Sequence, residues 1–374
     1  MPFWALDPAF TFLNHGSFGA CPFAVLEEQN RLRARLEAQP LRFMTREKEA
    51  LEDAARTKLS TFVGAEPEDL VFVSNASTGV NTVLRSLRFA QGDELLITDH
   101  GYNAVSNAVR YVAERSGARV IEAQVPFPLR SPEQVTKAVM AAVTPKTRLA
   151  VLDHVTSPTG LVFPIGELVS RLKERGVETL VDGAHAPGMV PLDLAVLDAA
   201  YYTGNLHKWV CTPKGAAFLW VRRALQPAIR PLVLSHGANS PRTDKSRFQI
   251  EFEWVGTMDP TPWLCVGKAL EVMGTLEPGG WPALMKRNRA LALRARDLLT
   301  ASRPAPDEMI GSLVSWPIGD GDAEQLQDAL YEKKIEVPVV AWPRPPGRLM
   351  RIAVQHYNTV ADFERLANEL TLPS

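Results

Sequence analysis

The stretch "GNLHKWVCTPKG", Gly204 to Gly215, sets Lys208 between two runs of strand-forming residues, "AAYYT" and "GAAFLWV". A lysine with its ordinary pKa of about 10.4 is a poor nucleophile at neutral pH. Desolvation or a neighbouring cation lowers that value and opens Schiff-base chemistry. Upstream, the apolar run "ETLVDG" closes on Asp182, and His185 follows in "LVDGAHAPG". A buried acid is costly unless paired, and a protonated ring nitrogen is a suitable partner; an Asp before Gly can equally cap a turn. A third signal is "SNASTGVNTVLRSL", directly after "DLVFV". Val80, Val83, Leu84 and Leu87 recur at helical spacing, which predicts a helix starting near Ser77 with Asn75, Ser77, Thr78 and Gly79 around its amino end. Unpaired N–H groups, two hydroxyls and the positive end of the dipole suit a phosphate there, although Ser and Thr also serve as plain N-caps.

These side chains need a scaffold that gathers strand ends. Between residues 50 and 221 amphipathic helical patterns alternate with short apolar runs: "DLVFVS", "ELLITD", "RVIEAQ", "RLAVLD", "ETLVDG" and "AAFLWV". Such runs read as buried strands of a mainly parallel α/β sheet covered by helices, whose ligands bind at the carboxyl ends of the strands. Residues 224–256, rich in proline, polar and basic residues, read as an extended surface loop. From about residue 260 two long helical patterns lead into alternating strands and helices, a compact α+β unit. The expected division is an N-terminal segment, 1–30, packing near the active site and the small domain, a large domain, 31–258, and a small C-terminal domain, 259–374.

The chain has 374 residues, 46% hydrophobic and 22% charged, ordinary values for a large domain plus a smaller one. Forty-one basic residues against 42 acidic ones give a net charge of −1 and point to no nucleic acid or anionic membrane as partner. No leader or membrane span is evident, so a cytoplasmic protein is expected. The three cysteines lie outside any CxxC pattern and the seven histidines never fall at HxxxH spacing. That excludes a disulfide framework and argues against a metal site.

Phosphate turn, acid and lysine, in that order at strand ends of one sheet, resemble the fold-type I pyridoxal-phosphate enzymes, and within them the class V aminotransferase superfamily. "FLNHGSFGACP", "DHVTSPTGLVFPI", "VDGAHAPGMVPLDL", "YYTGNLHKWVCTPKGAAFLWV" and "IEVPV" are most similar to its isopenicillin N epimerase-like branch. The resemblance implies pyridoxal 5'-phosphate as cofactor, an amino acid as substrate and a homodimer with shared active sites. It gives Lys208 as the Schiff-base lysine, Asp182 on the pyridinium proton and His185 near the phenolic oxygen. Ser77, Thr78, Asn205 and His207 would hold the phosphate, and Thr257 would reach the phosphate of the neighbouring subunit. Tyr102 would stack on the pyridine, with its hydroxyl as a proton donor on the face away from the lysine. Ser157 stands where cysteine desulfurases carry an Asn that contacts the phenolic oxygen. Arg351 would pair with the substrate carboxylate, and Asn14, His15 and Arg46 would line the substrate site. The segment "VPVVAWPRPPGRLMR" lacks the cysteine that desulfurases use to accept sulfur. Epimerisation at the α-carbon is thus expected, with a C–S lyase acting on a cysteine-sulfoxide-type substrate, an aminotransferase, or a non-catalytic pyridoxal-phosphate-binding regulator as alternatives.

Overall fold

The computed structural model describes residues 3–371, so residues 1, 2 and 372–374 of the expected outer units lie outside the described residues. A short strand β1 (Thr11–Phe12) precedes the seven strands of the main sheet: β2 (Leu70–Val73), β3 (Glu94–Thr98), β4 (Arg119–Ala123), β5 (Thr147–Asp153), β6 (Glu178–Asp182), β7 (Tyr201–Asn205) and β8 (Ala217–Val221). Their order is β2-β8-β7-β6-β5-β3-β4. Only β8 runs against the others, paired antiparallel to β2 and β7. The sheet is therefore mainly parallel, as its continuous apolar runs predict, and the fold is that of the fold-type I α/β class.

Burial on both faces explains those runs. Along β5, Leu149 and Val151 join a core beneath helices Ala76–Ser86 and Asn103–Ser116. Ala150 and Leu152 join a second core with Val135 and Val139 of helix Glu133–Ala141 and Leu168 and Leu172 of helix Ile165–Glu174. Side chains alternate between faces along a strand, so one apolar sequence feeds two helical layers.

The segment 224–256 is more ordered than the extended loop expected from its composition. Ser246 accepts from the Gln249 N–H at 3.2 Å and caps a helix, Arg247–Glu253. Phe248 and Phe252, one turn apart, bury against the main sheet and hold that helix down. Beyond it, helix Gly280–Leu299 leads into β9 (Leu313–Pro317), helix Ala323–Glu332, β10 (Ile335–Glu336), β11 (Val339–Ala341), β12 (Arg348–Ala353) and helix Val360–Thr371. β11, β12 and β9 form an antiparallel sheet, and β1 pairs parallel with β10, tying the N-terminal segment to the C-terminal unit. Among the described residues no helix is long and apolar enough to cross a membrane.

Candidate active site

Strand parity puts the chemistry on one face. Leu180 of β6 and Tyr201 of β7 belong to the core under helix Ala76–Ser86. Two residues on, Asp182, and four on, Asn205, project the same way past the end of that core. Both line a cavity of about 390 Å³ together with Ser77, Tyr102, Ser157, His185, His207 and Lys208. Asp182 is 3% exposed, and one of its oxygens accepts from the Ala184 N–H at 2.9 Å. Burial raises its pKa, while Ala184 and the Lys208 charge pull the other way. A cationic ring nitrogen is the partner that would offset the desolvation of the ionised acid.

Lys208 follows β7, and its Nζ lies 2.9 Å from His185 Nε2. The other ring nitrogen, His185 Nδ1, accepts from the Trp209 indole N–H at 3.3 Å. An indole can only donate, so the neutral ring carries its proton on Nε2 and donates to a neutral amine. Electrostatics agree. Burial first, then the Arg351 charge, lower the Lys208 pKa from 10.5 to about 7, against Asp182 and Asp153. Burial, with Lys208 and Arg351, also keeps His185 well below its usual value.

The "NHG" segment buttresses this lysine from behind. Ala20 N–H donates to His15 Nδ1 at 3.2 Å, so Nε2 donates to the Lys208 carbonyl at 3.1 Å. His15 is fully buried and held neutral, its pKa lowered to about 3 chiefly by burial. Gly19, at φ 73°, lets the chain pass where an added Cβ would sit 2.2 Å from the His207 carbonyl oxygen. His15 and Asn14, expected at the substrate site, line neither cavity. His15 positions the lysine backbone, and Asn14 accepts from the Ser17 hydroxyl at 2.5 Å.

At the opposite end, the helix begins one residue earlier than its periodicity predicts. Asn75 is the N-cap, accepting from the Thr78 N–H at 2.8 Å. The Thr78 hydroxyl donates to the same Asn75 oxygen and pairs with Ser74, at 3.0 and 2.9 Å. Thr78, expected at the phosphate, has its N–H and hydroxyl engaged by Asn75 and Ser74 and is not among the residues lining this cavity. Ser77 does face it, and neither its hydroxyl nor its backbone N–H has a partner among the described residues. Asn205 accepts from the Ala76 N–H at 2.8 Å, which leaves its NH₂ as a donor. His207 gives Nδ1–H to the Ala216 carbonyl at 3.0 Å, and burial with Lys208 and Lys214 lowers its pKa to about 4. Its Nε2 can donate to a phosphate only once the ring is protonated, which a nearby dianion favours. A phosphate fits here, at a helix amino end with free donors. Lys214 also lines this wall, its ammonium donating to the Gly19 carbonyl at 2.7 Å.

An adjoining cavity of about 680 Å³ shares Ser17, Tyr102, Ser157 and Lys208 and adds Arg351. Arg351, on β12, is 5% exposed. Its guanidinium donates to the Ser157 carbonyl at 2.6 Å, the Ser157 hydroxyl at 3.1 Å and the Ser17 hydroxyl at 3.2 Å, while Nε has no partner. Burial lowers its pKa only to about 10, so the charge persists. A buried guanidinium without a carboxylate beside it is a receptor for one. Ser157 thus serves Arg351 in this structure. Tyr102 caps helix Asn103–Ser116, and its half-exposed ring lines both cavities. Arg46 and Thr257 are exposed and line neither cavity of their own chain, and the role expected of Thr257 is toward the neighbouring subunit.

Sequence reasoning missed Asp153, which closes β5 and lines the smaller cavity beside Asp182. The signal was present: "RLAVLD" ends in an acid as "ETLVD" does.

A family model for aminotransferase class-V matches residues 20–366. The chain is 36% identical to isopenicillin N epimerase of Amycolatopsis lactamdurans, over 98% of this chain and 96% of that protein. It is 32% identical to a probable chloroplastic L-cysteine desulfhydrase of Arabidopsis thaliana, over 97% of this chain and 83% of that one. Among solved structures, the cystine C–S lyase C-DES in complex with its reaction product cysteine persulfide superposes with a TM-score of 0.82 at 23% identity, over 96% of this chain and 97% of that one.

Proposed function

The chain belongs to the class V aminotransferase family and is a pyridoxal-phosphate enzyme acting on an amino-acid substrate, and we propose that its reaction is epimerisation at the α-carbon. The pairing, in one continuous site, of a near-neutral lysine with a buried arginine that has no acidic partner among the described residues supports chemistry at the α-carbon, and the Tyr102 ring lining that same site is the observation that favours epimerisation. The likeness to isopenicillin N epimerases supports it.

When bound, pyridoxal phosphate withdraws electrons from the α-carbon and weakens its bonds. Everything else falls to the chain. Asp182 would hold the proton of the ring nitrogen, Ser77, Asn205 and His207 would bind the phosphate, and His185 would serve the phenolic oxygen. Arg351 takes the substrate carboxylate with a planar pair of N–H donors and so fixes which α-substituent faces Lys208. With a pKa near 7, the Lys208 amine is free of its proton often enough at neutral pH to take the α-proton as general base. Epimerisation then requires a donor on the opposite face, and the half-exposed Tyr102 hydroxyl has that role. The cavity of about 680 Å³ that Arg351 and Lys208 both line has room for a side chain larger than that of cysteine.

A second reading, β-elimination from a cysteine-type substrate, is supported by the desulfhydrase likeness and uses the same lysine and arginine. Sulfur transfer through a loop cysteine is not supported: Cys21, Cys211 and Cys265 are buried and line neither cavity. A homodimer is supported by the exposed apolar run Leu232 to Leu234, and Thr257, exposed and outside the cavities of its own chain, is compatible with reaching a neighbouring site. A cytoplasmic setting fits three unpaired cysteines.

The test is incubation with a panel of amino acids and amino-acyl side-chain derivatives in deuterated water. Epimerisation predicts α-deuterium in both enantiomers from either one, abolished or slowed more than about 100-fold in Tyr102→Phe for one direction of proton delivery. Pyruvate and ammonia without the opposite enantiomer would replace this reading with elimination.

A further inference from the structure

Asp153 is assigned no part in the chemistry above, yet it lies in the same cavity. It closes β5 as Asp182 closes β6, the strands are parallel, and the two residues are register partners. Neighbouring strands lie about 4.8 Å apart. Parity with Leu149 and Val151 on β5, and with Leu180 on β6, turns both carboxyls to the same face. They are 4% and 3% exposed, and both line the cavity that holds Lys208.

Two buried carboxyls at neighbouring strand ends disfavour each other's ionisation. The surroundings decide which keeps the proton. Asp182 is held by the Ala184 N–H and faces the position of a cationic ring nitrogen. Burial first and Asp182 second push Asp153 well above the usual carboxylate range; the backbone N–H groups of Tyr102 and Ser157 and the Lys208 charge oppose this without prevailing. The other titratable groups lining the cavity with the pair are Lys208, His185, His207, Lys214 and Tyr102, Arg351 lines the adjoining cavity, and the Asp182 charge also reaches the Tyr202 hydroxyl from the other face of the sheet. His154, next along β5, points to the far face, where its Nδ1 meets the Tyr202 hydroxyl at 2.9 Å.

We propose that Asp153 is a neutral acid that donates a hydrogen bond to the Asp182 carboxylate and so holds it ionised toward the ring nitrogen of bound pyridoxal phosphate. A carboxylate accepts up to about four hydrogen bonds, enough for Ala184, the ring nitrogen and Asp153 together. No proton is transferred: Asp153 keeps it, and the bond it donates stabilises the anion of its neighbour. Asp153 is thus a positioning residue. It acts on the ring only through Asp182, and the inference rests on the pyridoxal-phosphate reading of the site.

The test compares wild type with Asp153→Asn, which keeps a donor without a carboxyl, and Asp153→Leu, which keeps the volume without a donor. The readouts are the dissociation constant for pyridoxal phosphate and the pH titration of the visible absorption of the holoprotein, with thermal unfolding as the control for folding. The expected result is that Asp153→Asn stays within about threefold of wild-type affinity with an unchanged titration, while Asp153→Leu loses affinity by about tenfold or more and titrates at least about one unit away, as for a lost charge-assisted bond. Equal damage in both variants would mean that a negative charge is needed, and wild-type behaviour in Asp153→Leu would mean that no bond is made; either overturns the inference. If Asp153→Leu does not fold, Asp153→Ala carries the same expectation. A wild-type protein that binds no pyridoxal phosphate sinks the cofactor reading itself, which separates the two failures.

Discussion

At the scale of single residues, the site is a matter of which charges are paired. Arg351 is buried, charged and without an acid beside it, so removing it should cost substrate and not cofactor. Arg351→Ala is expected to raise KM by about 100-fold or more, in line with about 2–5 kcal/mol for a desolvated charge pair, with the cofactor absorption unchanged; steady-state kinetics and a spectrum check both. Lys208 makes a different prediction. Its folded pKa of about 7 lies below the unfolded value of 10.5, so between those limits the unfolded chain binds the extra proton. Stability of the apoprotein therefore gains from this residue as pH rises from 7 toward 10, by up to about 1.4 kcal/mol per unit. Denaturation of the apoprotein at several pH values should show that slope in wild type and lose it in Lys208→Met. Lys208, Asp182 and His185 were legible because each sits at the end of an apolar run, where burial makes an ionisable group conspicuous. Asp153 obeyed the same rule and was passed over, since adjacency to Asp182 belongs to the sheet order and not to the chain. Ser77 and Thr78 look alike in the sequence, and only the cap separates them: Asn75 takes that place and engages the Thr78 hydroxyl, which leaves Ser77 facing the cavity.

At the scale of elements, the phosphate turn depends on how closely its helix lies on the sheet. Gly79 of helix Ala76–Ser86 packs against β7, where an added Cβ would stand 2.2 Å from Thr203 Oγ1. That hydroxyl donates to the Phe218 carbonyl at 2.8 Å and cannot swing aside without losing the bond. Gly79→Ala should destabilise the fold by about 1–3 kcal/mol, the usual cost of overpacking, and weaken cofactor binding by tilting Ser77 away from the cavity. Thermal unfolding and a cofactor titration test this, and unchanged values for both would contradict it. The strands were readable from apolar runs bounded by turns, and their parallel order followed from the intervening helices. Helix Arg247–Glu253 was not readable, because its proline-rich and basic surroundings mask a short "FQIEF" pattern that is held by tertiary contacts, Phe248 and Phe252 on the sheet face above all.

For the whole molecule, one chain builds most of a site and leaves some of its expected parts outside. Thr257 and Arg46 have no place at a cavity of their own chain, and Leu234, 64% exposed, ends an apolar run open to solvent. Sedimentation is expected to give a dimer, and Leu232→Asp with Leu234→Asp should yield monomers of lower cofactor affinity; a wild-type monomer that binds cofactor fully would contradict the shared-site proposal. Composition and periodicity do not locate such residues, since a residue that serves another chain looks like a surface residue in its own; the expectation for Thr257 came from the family resemblance alone. The account as a whole stands on Lys208. Borohydride reduction of the protein loaded with pyridoxal phosphate, followed by peptide mass measurement, should find one phosphopyridoxyl group per chain, on the peptide containing Lys208. No adduct, or an adduct on Lys214 with Lys208 unmodified, would contradict it.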